Sequence, residues 1–322
     1  MTVQVSTEPG ADWATRYAGA CRDHYRRVLL DIARADPRVI CVDSDTGGLE
    51  DGFAAQLPDQ YVNVGIAEAN LMGVAAGLAA TGRIPFVNTI SSFAATRACE
   101  QLKIDVAGNN LPVKVVVTHG GLSGGHYGPT HHALEDMAIV RTLPHLTVVV
   151  PADAAETERA VRAIVSTPGP VFLRLGRSAT PMVHERPYEF RLGEAVTVRS
   201  GDDVTIVATG PYPVHFAVQA HERLAERGIS ARVLDLHTIK PLDEAAIVAA
   251  ASQTRGIVTV EDHLRIGGLG GAVAEVVTEH RPCPVRRIGV ADGFHDEVGS
   301  ELELLTVAGV SVERVVAAAA AL

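Results

Sequence analysis

The stretch "VGIAEANLMGVAAGLAATGRIPF", residues Val64–Phe86, contains the alternation of helix and strand that decides the fold. Residues 66–80 predict a helix with Gly and Ala on nearly every face, and a helix that lacks a polar face is packed on all sides. Residues 84–89 predict a buried strand that follows this helix. The single acid of the helix is Glu68, and burying its carboxylate costs free energy unless a partner or a function offsets that cost.

Short β-branched runs alternate with helical patterns on both sides of this stretch. The runs that predict strands are Arg38–Asp45, Ile84–Thr89, Val113–Gly120, Leu146–Asp153 and Pro170–Gly176. Helical stretches such as Phe93–Ala107 and Ala154–Ser166 lie between them. Apolar strands that alternate with helices predict a mainly parallel sheet with helices on both faces.

A second series of strands follows the polar, proline-containing stretch around Pro187. Its members are Asp203–Gly210, Ser230–Leu236, Gly256–Asp262 and Pro284–Val290, again separated by helical patterns. A chain of 322 residues is long enough for two domains with separate cores. The sequence therefore predicts an α/β protein of two domains, residues 1–187 and residues 188–322, each with its own mainly parallel sheet.

Composition excludes several classes of protein. Apolar residues make up 47% of the chain and charged residues 20%, which is typical of a folded globular protein. A net charge of −10 argues against nucleic acid or an anionic membrane as the main partner. The sequence shows no long apolar span and no secretion signal, and its four scattered cysteines suit reduced thiols in the cytoplasm, without a zinc site or a disulfide framework.

Polar groups gather where the predicted strands end. In open α/β sheets, ligands bind beyond the carboxyl ends of the strands. The residues at those ends are Asp43, Asp45, Asn88, His119, Asp153, Arg174 and Arg177. The sequence therefore predicts a site at this edge of the first sheet.

The densest candidate is the glycine-rich stretch Thr118–Arg141. It leaves a strand at His119, crosses a loop with five glycines and is predicted to enter a helix near His131. Four histidines within fourteen residues, His119, His126, His131 and His132, offer proton donors and acceptors near neutral pH. The alternative is a flexible surface loop with incidental histidines, but the clustering favours a site. A metal site is not predicted, because no HxxxH or HExxH spacing occurs.

Arginines form a further candidate set. Arg174 and Arg177 follow a strand, while Arg22 lies in a basic helix with Arg26 and Arg27. Arginine is the usual donor to a substrate phosphate, and solvated surface charge is an equally good explanation for any one of these side chains. The glycines of "DHLRIGGLGGAVAE" do not form a GxGxxG pattern, so they do not indicate a nucleotide site.

Four motifs together resemble the C-terminal half of transketolases. They are "VGIAEANLMGVAAGLAATGRIPF", "SSFAATRACEQLK", "GPTHHALEDMAIVRTLPHLTVVVPAD" and "EDHLRIGGLGGAVAE", and the resemblance runs from about Arg22 to the end. It implies a thiamine-diphosphate pyrimidine-binding domain followed by a transketolase C-terminal domain. The family's GDG…N motif for the diphosphate and Mg²⁺ does not occur. The resemblance therefore implies half an enzyme, completed by a separate N-terminal subunit in a heterotetramer of two copies of each.

The resemblance assigns cofactor-binding roles to individual residues. Glu68 matches the glutamate that hydrogen-bonds N1′ of the aminopyrimidine and favours its imino tautomer. A rival explanation, favourable interaction with the helix dipole, is worth only about 0.3–1 kcal/mol. Phe93 matches an aromatic residue that packs against the pyrimidine, and Asp45 matches an acid near the cofactor at the dimer interface. Ile90 stands where many members have an aromatic residue of the same pocket.

Substrate-binding roles follow in the same way. His119 and His131 match histidines that contact the substrate's oxygens and assist proton transfer. Arg177 matches an arginine that binds the sugar phosphate, and Arg22 matches a second one, with Arg16 as a competing alignment.

The substrate motif also departs from the family pattern. The common sequence GEDGPTH is here Gly125–His131, with His126 and Tyr127 in place of the two acids, so the residue that senses the acceptor's α-hydroxyl is missing. A phosphate-binding serine is also missing around Gly48-Leu49. These changes indicate a specialised acceptor, such as a modified or nucleotide-linked sugar.

The resemblance thus implies an enzyme that transfers a two-carbon ketol unit from a ketose to an aldehyde, with Glu68, His119 and His131 as catalytic residues. One alternative is a decarboxylating thiamine enzyme, either a 2-oxo-acid dehydrogenase β subunit or a relative of deoxyxylulose-phosphate synthase. Another is a non-catalytic structural subunit that has kept the fold.

Overall fold

The computed structural model describes residues 17–184 and 187–322, which form two α/β units. The strands are β1 Val39–Asp43, β2 Tyr61–Asn63, β3 Ile84–Ile90, β4 Lys114–Thr118, β5 Thr147–Val149, β6 Val171–Arg174, β7 Val196–Arg199, β8 Val204–Ala208, β9 Ala231–Asp235, β10 Thr238–Lys240, β11 Ile257–Leu264 and β12 Val285–Val290. Every predicted strand contains one of these. The predicted fold class is confirmed.

The helices cover the faces of the two sheets. The α-helices are α1 Cys21–Ala35, α2 Glu68–Ala80, α3 Ser91–Ala95, α4 Cys99–Gln101, α5 Asp136–Arg141, α6 Ala154–Ile164, α7 Pro211–Ala225, α8 Glu244–Gln253, α9 Leu269–His280, α10 Glu301–Val307 and α11 Val312–Ala320. Shorter 3₁₀ or π-helical turns occur at Glu50–Ala54, Pro58–Gln60, Leu102–Ala107 and Gly125–Tyr127. Among the described residues, no helix is both long and apolar enough to cross a membrane.

The first sheet has the strand order β10-β5-β6-β4-β3-β1-β2 in the described part of the chain. Its strands run parallel except β10, which pairs antiparallel with β5. Strand β1 is buried along its whole length and β4 nearly so, as expected for strands covered on both faces. The carboxyl ends of β1, β3, β4 and β6 therefore meet at one edge, as the sequence predicted.

The second sheet has the order β12-β11-β8-β9-β7, with β7 antiparallel to β9. The sequence did not predict β2, β7 or β10, which have three or four residues each and lie at sheet edges. Because β10 comes from the second half of the chain but joins the first sheet, the two units share a strand. A domain boundary at residue 187 stays a prediction.

Two helix predictions were wrong in extent. Residues 93–107 do not form one helix, because the chain divides into α3, α4 and the π-helical turn Leu102–Ala107. Helix α2 buries one face within this chain, whereas Asn70, Gly77 and Ala80 are exposed, so it is not packed on all sides. An apolar face of α2 is therefore open to a neighbouring chain.

A buried cluster of Glu156, His184 and Asp235, the junction cluster, joins the two units. His184 Nε2 lies 3.0 Å from Asp235 Oδ2 and 3.4 Å from Glu156 Oε1, and the Tyr188 hydroxyl donates to Glu156. Burial lowers the pKa of His184, but the two carboxylates outweigh that effect and raise it to about 11. The donor atoms lie within 4.8 Å of one another, so among the described residues this is where a metal ion could be held. The prediction of no metal site did not consider this cluster.

Candidate active site

Glu68 lies in the first turn of α2 with only 5% of its surface exposed. Arg97 Nη1 lies 3.3 Å from Glu68 Oε1 and 3.5 Å from Oε2, so the buried carboxylate has a cationic partner. Ile66, two residues before the acid, is 73% exposed. The carboxylate therefore lies beside an open apolar surface.

Arg97 also covers the ring of Phe93, with its Cζ 4.0 Å from the ring centroid. Phe93 lies in α3, which follows directly after β3, so the end of that strand places the ring near Glu68. The guanidinium of Arg97 is 54% exposed and contacts both the carboxylate and the ring. Sequence reasoning missed Arg97, although its spacing of four residues from Phe93 is one at which side chains meet on a helix.

A row of rings extends from Phe93 across the glycine-rich loop. The His131 ring lies 5.1 Å from Phe93 and stacks on Tyr127 at 4.8 Å, with 25° between the two planes. Tyr127 in turn lies 5.8 Å from His119. The structure thus brings together Phe93, His131, Tyr127 and His119, all of which the sequence predicted as site residues.

Tertiary packing holds the glycine-rich loop in place. The backbone N–H of Leu122 donates to both carboxylate oxygens of Asp262 at 3.1 Å, which ties the loop to the second unit. Gly121 has φ of +60°, and a Cβ there would come within 1.7 Å of Asp262 Oδ2, so only glycine fits. The predicted helix near His131 was wrong, because residues 128–135 form turns and α5 begins at Asp136.

The two histidines of the row are held neutral. Burial, together with the charges of Arg177 and Arg22, lowers the pKa of His119 to about 3. Burial and the charge of Arg97 also lower the pKa of His131. A neutral imidazole has one donor and one acceptor nitrogen, so each histidine can either give or take a proton at a substrate oxygen.

Three arginines, Arg22, Arg26 and Arg177, lie beyond His119 and are here named the arginine cluster. Arg177 approaches the Tyr127 ring at 5.4 Å. The Nε atom of Arg22 is buried without a hydrogen-bond partner. Positive charge therefore concentrates at one end of the ring row, in a chain whose net charge is −10.

Several strand-end residues prove to be structural. The chief example is Arg174, a phosphate-binding candidate that is buried and donates from Nε to Asp136 Oδ2 at 2.6 Å. Asn88 accepts a hydrogen bond from Tyr25, and Asp153 caps α6 by accepting from the N–H of Glu156. These side chains hold elements together and are not free to bind a substrate.

The remaining predicted residues lie at the margins of the row. Ile90 ends β3, while Asp45 and His126 are exposed on the loops that follow β1 and β4. Arg16 lies outside the described residues. Chemically, the site combines a carboxylate, a flat aromatic face, two neutral imidazoles and a cationic end, which suits a planar nitrogen base beside an oxygen-rich anion.

Comparison with known families agrees with this arrangement. Residues 18–182 match the family described as transketolase, pyrimidine binding domain, and residues 193–315 match transketolase, C-terminal domain. Together these matches cover most of the chain.

Individual relatives have similar lengths. One of the two subunits of an apulose-4-phosphate transketolase from Phocaeicola vulgatus is 45% identical over 85% of this chain and 88% of that protein. A 6-deoxy-6-sulfo-D-fructose transketolase subunit from a Clostridium species is 42% identical over 92% of both chains. Among solved structures, a split gene transketolase described as an inactive β4 tetramer is 40% identical, with a TM-score of 0.86, over 94% of this chain and 97% of that one.

Proposed function

This chain belongs to the transketolase family, and we propose that it is the C-terminal subunit of a split transketolase that works with a separate diphosphate-binding subunit. The proposed reaction moves a two-carbon ketol unit from a ketose to an aldehyde. The observation that carries this proposal is the continuous row from Glu68 through Phe93 and His131 to His119, with the arginine cluster at its far end.

The site residues fit the aminopyrimidine of thiamine diphosphate. In the structure, the planar guanidinium of Arg97 both covers the Phe93 ring and donates N–H groups to Glu68. A flat group with polar nitrogens is therefore compatible with this ring and this carboxylate. When bound, the cofactor supplies the electron sink that lets a bond beside a carbonyl be broken. We assign its diphosphate and Mg²⁺ to the partner subunit, because the chain has no GDG…N motif.

Each residue of this chain has a distinct task in the proposal. Glu68 shares a proton with the pyrimidine nitrogen N1′ and thereby sets its tautomer. Phe93 orients the pyrimidine ring, with Ile90 and Asp45 at the margins of the cofactor. His119 and His131, both neutral, hold substrate oxygens and transfer protons at them. Arg22 and Arg177 bind the anionic end of the sugar, beside Tyr127 and His126.

We propose a specialised sugar as substrate. The supporting observation is Tyr127, which is 51% exposed and stacks on His131 where an acid would contact the acceptor's α-hydroxyl. Two relatives at 42–45% identity are named for apulose 4-phosphate and for 6-deoxy-6-sulfo-D-fructose. Their names support a substrate outside the standard pentose phosphates.

We propose two copies of each subunit in the complete enzyme, located in the cytoplasm. The open face of α2 and the exposed Ile66 support burial of the Glu68 region against another chain. The inactive β4 tetramer of the structural relative supports the need for a second kind of subunit.

The test is reconstitution with a subunit that carries the GDG…N motif. We expect ketol transfer from a ketose phosphate only when both chains, thiamine diphosphate and Mg²⁺ are present. Release of carbon dioxide from pyruvate by the same complex would contradict the proposal and favour the decarboxylating alternative. A complex that assembles but shows neither reaction would favour the structural-subunit alternative.

A further inference from the structure

We propose that Arg26 is a third binding residue of the anionic subsite, and that it makes this subsite selective for a sugar that ends in a phosphate dianion. The inference rests on the proposed function, because it names the substrate class of the same site. Neither the strand ends nor the family motifs single out Arg26. Its place in the site follows from three contacts and from the charge around it.

The first contact is with the loop that follows β1. Arg26 Nη2 donates to the carbonyl oxygen of Gly47 at 2.6 Å. A Cβ at Gly48, whose φ is +82°, would lie 2.6 Å from Arg26 Nη1, so the guanidinium fills the space that a side chain at this position would need. This is the region in which the family's phosphate-binding serine is missing. A guanidinium has thus taken the place of a hydroxyl.

The second relationship places Arg26 beside the other members of the cluster. Arg22 and Arg26 are four residues apart on α1, so their side chains project from one face of the helix. The charges of Arg177, Arg22 and Arg26 all contribute to the low pKa of His119, although burial is the larger cause. The three guanidinium groups therefore act on the same volume, next to the end of the ring row.

The third observation is a shortage of negative charge. Asp23 lies 3.6 Å from both Arg22 and Arg26, but 60% of its side chain is exposed, so water screens it. Within residues 17–184 and 187–322, Arg177 has no carboxylate at ion-pair distance and contacts the Tyr127 ring instead. Three guanidinium groups share one screened carboxylate, so the subsite is complementary to a multiply charged anion.

Charge distinguishes the candidate anions. A phosphate monoester carries a charge of about −1.5 to −2 at neutral pH and three acceptor oxygens, which suit forked guanidinium donors. A sulfonate presents similar oxygens with one negative charge, so its Coulomb attraction to the same cations is about half as large. The subsite should therefore bind a sugar phosphate more tightly than the matching sugar sulfonate or neutral sugar.

The direct test measures binding of methyl phosphate and methanesulfonate to the full chain by isothermal titration calorimetry, at a pH where methyl phosphate is a dianion. We expect tighter binding of methyl phosphate, and we expect Arg26→Ala to weaken it about tenfold to a hundredfold, the range for a hydrogen bond between charged groups. Gly48→Ala should act in the same direction, since its Cβ displaces the guanidinium. Arg34→Ala, which removes an exposed arginine from the last turn of α1, is the matched control and should leave both affinities unchanged.

Two results would overturn the inference. One is equal affinity of the wild-type chain for the two anions. The other is an Arg26→Ala variant that loses both affinities in equal proportion, because a residue that only anchors Gly47 would affect both anions alike. Rescue by Arg26→Lys should be partial, since lysine restores the charge but not the forked donor geometry.

The kinetic test uses the complete complex and three ketose donors, which carry a phosphate, a sulfonate or a hydroxyl at C6: fructose 6-phosphate, 6-deoxy-6-sulfofructose and fructose. We expect Arg26→Ala to lower the ratio of kcat/KM for the phosphate over the sulfonate, mainly through KM. Glyceraldehyde 3-phosphate and glyceraldehyde as acceptors show whether the phosphate belongs to donor or acceptor. Absence of ketol transfer from every ketose would contradict the proposed function, whereas transfer with an unchanged ratio would contradict only the role of Arg26.

Discussion

Arg97 Nη1 lies 3.3 Å from Glu68 Oε1 while the same guanidinium covers Phe93, so one side chain contacts both groups that we assign to the aminopyrimidine. The two assigned groups lie twenty-five residues apart in the chain. Binding of the cofactor therefore requires Arg97 to move away or to share these contacts.

Replacing Arg97 with Ala should strengthen binding of thiamine diphosphate to the complete complex. Because Arg97 is half-exposed, its ion pair with Glu68 is worth at most about 1 kcal/mol, which corresponds to about a fivefold change in the dissociation constant. The measurement is a titration of the apo complex with cofactor. Weaker binding in the variant would mean that Arg97 positions Glu68 in the bound state.

Replacing Glu68 with Gln should lower kcat of the complex by at least about a hundredfold, as expected when a group that exchanges a proton is lost. Gln has nearly the same shape, so assembly should be retained, as size-exclusion chromatography can check. Glu100→Gln, at an exposed position of α4, is the matched control. Full activity of Glu68→Gln would refute the assigned role.

Replacing Tyr127 with Asp should shift acceptor preference toward aldehydes with an α-hydroxyl. A carboxylate at this position can accept a hydrogen bond from that hydroxyl, which corresponds to a gain of about tenfold in relative kcat/KM. The matched acceptors are glyceraldehyde 3-phosphate and its 2-deoxy analogue. Tyr127→Phe, which keeps the ring stacked on His131, should leave the preference unchanged. An unaltered ratio in the Asp variant would show that position 127 does not sense the hydroxyl.

Replacing His184 with Gln should destabilise the fold by roughly 3–5 kcal/mol, because two buried carboxylates would lose their cation. The pKa of His184 rises from 6.5 to about 11 on folding, so its stabilising contribution is complete below pH 6.5 and disappears as pH rises through 11. Urea unfolding of wild type and variant across this range measures the difference.

The control for the junction cluster is His280→Gln, at a half-exposed histidine 3.7 Å from Glu244. We expect a change of no more than about 0.5 kcal/mol for this surface substitution. A His184→Gln variant as stable as this control would show that the junction cluster does not hold the two units together.

Much of the fold could be predicted from local pattern alone. Buried strands such as β1 and β4 appear as unbroken apolar runs, because both faces of a parallel sheet are covered. Strands β2, β7 and β10 escaped prediction since each is short and lies at an edge, where tertiary pairing outweighs intrinsic pattern. The break between α3 and α4 likewise has no clear signal in the sequence.

By itself the sequence determined the two-unit α/β architecture, the family, and the candidates Glu68, Phe93, His119 and His131, because periodicity and motifs are properties of neighbouring residues. Only the tertiary structure decided the partners of those residues. Arg97 meets Glu68 across twenty-nine residues, Arg26 meets Gly47 across twenty-one, and His184 meets Asp235 across fifty-one. Such contacts depend on how the sheets and helices pack, and local sequence patterns carry no record of that packing.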